Sequence, residues 1–158
     1  MIVIRKCTIG EVAANAAFPA LHREYAAEAA LAGLPDPDEK LGAYRLIEPG
    51  GAFQAYGAFL VDGPAGGDVL VGVAAVLTPV IPHYGVAIAV TESLFVAAAH
   101  RRTGAGVKLI RAAEKHARDA GSPALLVSAP VGGRLVRVLP RLGYRETNRV
   151  FLKEVAHG

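Results

Sequence analysis

The chain reads as an α/β protein of the α+β type: a mixed, mostly antiparallel central sheet with helices on both faces. Three observations lead there. Of 158 residues, 53% are hydrophobic and 20% charged, enough apolar surface for burial to offset the entropy of ordering, which excludes wholesale disorder. Two apolar runs flank a Gly-rich loop between Ala52 and Leu77, the pattern of an antiparallel hairpin. The second half then alternates strand, helix, strand, helix, strand, which places helices against the sheet. The hairpin argues against a doubly wound, all-parallel topology.

Met1-Ile-Val-Ile-Arg-Lys-Cys7 opens as a β-branched strand. Thr8 and Glu11 have the spacing of a capping box, in which hydroxyl and carboxylate satisfy each other's free amides. The Ala-rich stretch from Glu11 to Ala32 places Val12, Phe18, Leu21, Tyr25 and Leu31 at intervals of three, four and six, which fits one or two amphipathic helices. Pro19 breaks or re-initiates that region. Gly33-Leu-Pro-Asp-Pro-Asp38 is a surface turn, and Lys40 to Pro49 stays ambiguous.

Ala52 to Val61 is a strand, Asp62 to Asp68 its hairpin loop, and Val69 to Leu77 the partner. Pro79 and Pro82 cannot donate to a ladder, so Thr78 to Tyr84 is a kinked connection or a bulged strand end before a strand from Gly85 to Val96. Ala105 to Ala120 is the clearest helix, with Val107, Ile110, Ala113 and Ala117 on one side and Leu109 beside them. Glu114 lies four residues before Arg118, an ion pair worth about 0.3–0.5 kcal/mol, and Gly121 takes the position just past the helix end. Pro123 to Pro130 is a short strand, Gly132 to Leu142 a basic amphipathic helix interrupted by Pro140, and Tyr144 to Val155 a last strand. No repeat or linker divides the chain, so residues 1–158 are expected to form a single domain.

One cysteine makes no internal disulfide, and the first thirty residues lack the basic start, apolar run and cleavage site of a secretory leader, so the expected compartment is the cytoplasm. The longest apolar stretch, Val86 to Ala99, is interrupted by Thr91, Glu92 and Ser93, whereas a membrane helix needs about 20 apolar residues. No membrane partner is expected. A net charge of +3 without any Trp argues against a nucleic-acid partner. No His, Cys and Asp grouping has metal-ligand spacing, so no metal is expected, and Cys7 reads as a small apolar filler.

The chemistry lies in Phe95-Val-Ala-Ala-Ala-His-Arg-Arg-Thr-Gly-Ala-Gly106, where an apolar strand passes through a basic turn into the strongest helix. A helix start leaves four amide donors without intrahelical partners, and the aligned peptide dipoles add partial positive charge. Gly104 and Gly106 let an anion approach the backbone, while Arg101 and Arg102 add charge and forked hydrogen bonds, so a pyrophosphate fits. The same residues also fit a plain exposed turn. No Gly-Lys-Ser/Thr follows, which excludes a nucleotide-hydrolase phosphate loop. The third Gly and distal acid of a dinucleotide fingerprint are missing too.

Arg101-Arg-Thr-Gly104-Ala-Gly106 resembles the pattern Arg/Gln-x-x-Gly-x-Gly/Ala with which the GNAT family of N-acetyltransferases binds acetyl-coenzyme A. The resemblance runs from about Val69 to Lys153. It takes in the strand ending Leu94-Phe-Val96, the helix closing at Gly121, the strand Ala124-Leu-Leu-Val127, and Leu142-Gly-Tyr144 at the family's Leu-Gly-Phe/Tyr. It implies a sheet splayed between two parallel strands, with the pantetheine arm of the cofactor in the opening. By that resemblance, backbone groups at Leu94, Phe95 and Val96 pair with the arm. Arg101, Arg102, Thr103, Gly104, Ala105, Gly106 and Val107 hold the pyrophosphate. The implied activity is direct transfer of acetyl from acetyl-CoA to a primary amine of a small molecule, peptide or protein. The alternative is a catalytically weak or inactive acyl-CoA-binding protein of the same fold.

Such a transfer needs a neutral amine, donors for the developing oxyanion and a proton source for the departing thiolate. Glu92 is the candidate base, directly or through water. It stands two residues from the family's usual acidic position, and period-two alternation keeps it on the same face. A glutamate that only ion-pairs or faces solvent fits equally, and His83 and Tyr84 are alternatives. Leu139 stands where the family often has a Tyr that protonates the thiolate, and Gly132 and Gly133 lie near the usual Asn. Tyr144 reads as core, Ser128 as a strand-end hydroxyl within reach of the cofactor, and His100 as an exposed loop residue. Arg134, Arg137 and Arg141 form a basic stripe, read as a solvated face. The acceptor surface implied by the family covers about Tyr25 to Tyr44 and Thr78 to Tyr84. Asp36, Asp38 and Glu39 are balanced there by Lys40 and Arg45, so a polycationic acceptor is not indicated. The family also admits a homodimer through the last strands or the late helix.

Overall fold

A computed structural model describes residues 1–35, 40–61 and 67–155. The expected loop at Asp62 to Asp68 falls largely outside them, as do Asp36, Asp38 and Glu39. Strand β1 (Ile2–Cys7) leads into helices α1 (Ile9–Ala14), α2 (Phe18–Ala29) and α3 (Lys40–Ile47). Strands β2 (Phe53–Leu60) and β3 (Val69–Leu77) follow, then the short pair β4 (Val80–Ile81) and β5 (Val86–Ala87), and β6 (Ala89–Val96). The chain continues through helix α4 (Ala105–Asp119), strand β7 (Leu125–Val127) and helix α5 (Arg134–Val138). The main sheet runs β1-β2-β3-β6-β7. Its first three pairings are antiparallel and β6–β7 is parallel, so the expected mixed, mostly antiparallel sheet is present.

Local chemistry explains most boundaries. Thr8 closes the capping box at α1: its hydroxyl accepts from the Glu11 amide at 3.1 Å, while its own amide donates to Glu11 at 2.7 Å. Pro19 sits in the first turn of α2, where its missing N–H costs nothing. The ambiguous stretch at Lys40 is helical up to Ile47, and Pro49 lies in a 3-10 turn. That turn reaches back to the first helix, since the Glu48 carboxylate accepts from the Ile9 amide at 2.7 Å.

Two cores clothe the sheet. On one face Ile9, Val12, Leu21 and Tyr44 of α1–α3 pack with Phe53, Ala55, Phe59 and Ala75. On the other, Ala105 and Leu109 of α4 pack with Ile2, Ala58, Val71, Ala74 and Val96, and Ala113 and Ala117 with Val76 and Ala89. Leu109 and Ile110 are almost wholly buried, whereas Val107 is 38% exposed and does not join the apolar side assigned to it. Nor does Glu114 pair with Arg118. It accepts instead from Arg111 at 2.7 Å and from the Tyr144 hydroxyl at 2.9 Å, a partner 30 residues further along the chain.

Three further expectations change. The strand assigned to Gly85–Val96 is split: Val86–Ala87 folds back on Val80–Ile81 as a small hairpin, and β6 begins at Ala89. Pro140 converts the late helix into α5 followed by a 3-10 turn, Leu139–Leu142. Residues 144–155 form no strand, and Val150 and Phe151 are 88% exposed. Their β-branched and aromatic composition suits a ladder, but composition supplies no partner edge. Among the described residues no helix is long and apolar enough to cross a membrane.

Candidate active site

The turn between β6 and α4 is built by its own backbone. Residues Ala98–His100 form a 3-10 turn, and Thr103 donates its hydroxyl to the His100 carbonyl at 2.7 Å. Gly104 then takes φ +83°, a left-handed conformation that a side chain would strain. No side chain caps α4 there. The Ala105 amide donates to the Thr103 hydroxyl at 3.4 Å, which leaves the amides of Gly106 and Val107 to face outward with the positive end of the helix dipole. A Cβ built on Gly104 would meet no atom within 4 Å, so the approach to these amides is open.

The two arginines of the turn do different things. Arg102 is exposed. Arg101 turns toward α2: its Nε donates to the Val96 carbonyl at 2.9 Å, its other nitrogen meets Glu28 at 2.5 Å, and its guanidinium lies 5.2 Å from the Phe95 ring centre. Glu24 accepts from the Ala98 amide at 3.1 Å, and Tyr25 meets Phe95 edge-on at 5.6 Å. Helix α2 is thus fastened to the β6–α4 turn, a role for Glu24 and Glu28 that sequence reasoning missed.

Strands β6 and β7 pair only at Ala89–Leu125, Val90–Leu126 and Thr91–Val127. Beyond Thr91 they part, and β6 continues alone on that side through Leu94, Phe95 and Val96 while β3 holds its other edge. Glu92 sits where the β3–β6 register shifts, as the extra residue of a bulge between Thr91 and Ser93. The bulge breaks the strand's alternation. Leu94 packs on the α4 side, whereas Phe95 packs against the core of α1–α3. The expectation that period two carries Glu92's face through neighbouring positions therefore fails at Leu94.

On the α1–α3 side the Glu92 carboxylate accepts a hydrogen bond from the Tyr44 hydroxyl, which also lies 3.3 Å from the Ser93 hydroxyl. Tyr44 is buried and stacks on Phe53 at 4.7 Å. The signal for it was weak: Leu41 and Tyr44, three apart, are the apolar edge of an otherwise mixed helix.

The remaining candidates disperse. His83 and Tyr84 sit in the turn of the β4–β5 hairpin with their rings 4.8 Å apart, separated from Glu92 by β5 and the start of β6. Ser128 directly follows β7 and is exposed, as are Arg134, Arg137 and Arg141. His100 is half-buried in the turn. Leu139 is buried. Tyr144 donates to Glu114 at the far end of α4, and burial, reinforced by that hydrogen bond, pushes its pKa well above the usual tyrosine value. Cys7 is buried, which raises its thiol pKa. Among the described residues no cluster of His, Cys, Asp and Glu could hold a metal ion.

This arrangement was compared with known proteins. The family model described as the acetyltransferase (GNAT) family matches residues 18–144. The chain belongs to the GNAT family of acetyltransferases. Solved GNAT structures share its fold. The structure of AAC(6')-Iy in complex with the bisubstrate analog CoA-S-monomethyl-acetylneamine aligns at a TM-score of 0.70 and 20% identity, covering 99% of each chain. A ribosomal-protein-alanine N-acetyltransferase from Brucella melitensis gives 0.69 and 20%, covering 98% of this chain and 99% of that one. An aminoglycoside acetyltransferase, meta-AAC0020 from an uncultured soil metagenomic sample, gives 0.70 and 18% over 98% and 97%. No curated protein sequence matches. The open β6 edge and the Gly104 turn both lie within the residues that the family model matches.

Proposed function

We propose that this GNAT protein transfers the acetyl group of acetyl-CoA to a primary amine, with Glu92 as the base. One observation carries the reading: the uncapped α4 terminus at Gly104 and the parted strands β6 and β7 adjoin a bulge that holds a carboxylate. The residues present suit the cofactor. The amides of Arg102, Gly104, Gly106 and Val107, with Arg101 bracing the turn, would hold the pyrophosphate, while those of Thr103 and Ala105 donate to the His100 carbonyl and the Thr103 hydroxyl. The free edge of β6 at Leu94, Phe95 and Val96 would pair the amides of the pantetheine arm as an added strand does. Bound there, acetyl-CoA supplies a thioester whose carbonyl carbon exchanges its bond to sulfur for one to the amine nitrogen.

Glu92 would take the proton that the amine loses, directly or through one water, held ready by the Tyr44 hydroxyl. The Leu139 side chain has no proton to give, so the departing thiolate would be protonated from solvent. That apolar residue is also what favours the second reading, a protein that binds acyl-CoA without turning it over. Free-thiol release from acetyl-CoA over a panel of amines separates the two. Acceptor-dependent release that drops about 100-fold or more in Glu92→Gln supports the transferase. Tight acetyl-CoA binding with no acceptor-dependent thiol supports the binding protein.

A further inference from the structure

We infer that the acceptor is a primary amine bearing a short unbranched or singly branched alkyl group, whose apolar part enters the cleft between α1–α3 and the sheet. The inference rests on the acetyl-transfer reading and names its substrate class. Ile9, Val12, Leu21, Leu41, Val73 and Phe95 wall this cleft. Phe18, His22 and Tyr25 line it from α2 as well. Besides His22 and Tyr25 on α2, its polar groups are the Tyr44 and Ser93 hydroxyls, 3.3 Å apart, and Tyr44 donates onward to Glu92. An amine whose alkyl tail fills the cleft would place its nitrogen at the Tyr44–Ser93 corner, one hydrogen bond away from the Glu92 carboxylate.

Size sets the class. The cleft, open on one side, has a volume of about 50 Å³, a third of the roughly 150 Å³ of an apolar cavity that takes benzene. A few methylenes fit and an aromatic ring does not. Polarity sets it too. Every wall residue outside the Tyr44–Ser93 corner and His22 is apolar or aromatic, so the many hydroxyls and ammonium groups of an aminoglycoside would lose water without gaining partners there. The aminoglycoside acetyltransferases that share the fold are therefore a poor guide to this acceptor.

The test uses unbranched alkylamines, which differ in length but little in basicity, together with neamine and 2-phenylethylamine. Initial rates of thiol release from acetyl-CoA are followed with the intact protein. Each added methylene should raise kcat/KM about fourfold, the value expected for burying one methylene group, up to about two or three carbons. Longer chains, 2-phenylethylamine and neamine should fall back at least about tenfold below the optimum. Val73→Leu, which fills part of the cleft, should shift the optimum to a shorter amine. As a readout independent of turnover, propylamine alone should raise the thermal midpoint of the wild-type protein more than methylamine does, and this difference should shrink in Val73→Leu. A rate that ignores alkyl length, or that is greatest for neamine, overturns the inference and leaves acetyl transfer standing. No thiol release with any amine overturns both.

Discussion

The Tyr44 hydroxyl on α3 donates to the Glu92 carboxylate in the β6 bulge, 48 residues further along the chain. The contact ties the helical layer to the strand that would carry the reaction. Tyr44→Phe removes the donor and keeps the stacking on Phe53. A hydrogen bond to a charged group contributes about 1.5–3 kcal/mol, so kcat should fall about 10- to 100-fold while KM for acetyl-CoA holds. An unchanged kcat, or a loss that follows cofactor binding instead, would show that Tyr44 does not position the carboxylate.

Gly104 supports two separable predictions. Its φ of +83° strains any L side chain, and the space around it is empty to 4 Å. Gly104→Ala should therefore cost about 1–2 kcal/mol of stability and leave acetyl-CoA binding within a few-fold. Gly104→Glu should carry the same strain but abolish binding, because its carboxylate would meet the diphosphate at the helix start. Titration calorimetry on both folded variants decides: full affinity in Gly104→Glu would contradict the assignment of this turn.

Arg101 and Arg102, adjacent in sequence, should fail in different ways. Arg101 is committed to Val96, Glu28 and Phe95, so Arg101→Ala should lower the urea midpoint by the equivalent of about 1 kcal/mol of stability, given its partial exposure. Arg102 faces solvent beside the turn, so Arg102→Ala should weaken acetyl-CoA binding and leave the midpoint in place. The reverse pattern would mean that Arg101 is the phosphate ligand.

What the sequence made legible is what neighbours decide. The Thr8–Glu11 box, the helix from Ala105 and the β2–β3 pairing all follow from residues close in the chain. What it concealed depends on distant partners. The bulge at Glu92 arises from register against β3, the direction of Arg101 from a glutamate 73 residues away, and the value of Tyr44 from where α3 lands. The strand expected at Tyr144–Val155 shows the same limit, since local β propensity names no edge to pair with.

A final prediction concerns His116, which the proposed chemistry does not use. It lies on α4 with its Nδ1 3.2 Å from the Tyr56 hydroxyl, and burial, helped by the nearby Lys6 charge, lowers its pKa below 6.5 against an opposing effect from Asp119. An unfolded chain, whose histidine keeps the ordinary value, therefore binds more protons than the folded one as pH falls through 6.5. The stability that neutral His116 contributes is complete above that pH and is lost below it, down to the lowered folded value. Glu11 and Asp119 also have lowered pKa values, but their losses begin only near the ordinary carboxylate values of 4.5 and 3.8. Urea midpoints taken between about pH 7.5 and 5.5 should fall in the wild type and change less in His116→Gln. An equal slope in both proteins would mean that His116 charges freely in the folded state.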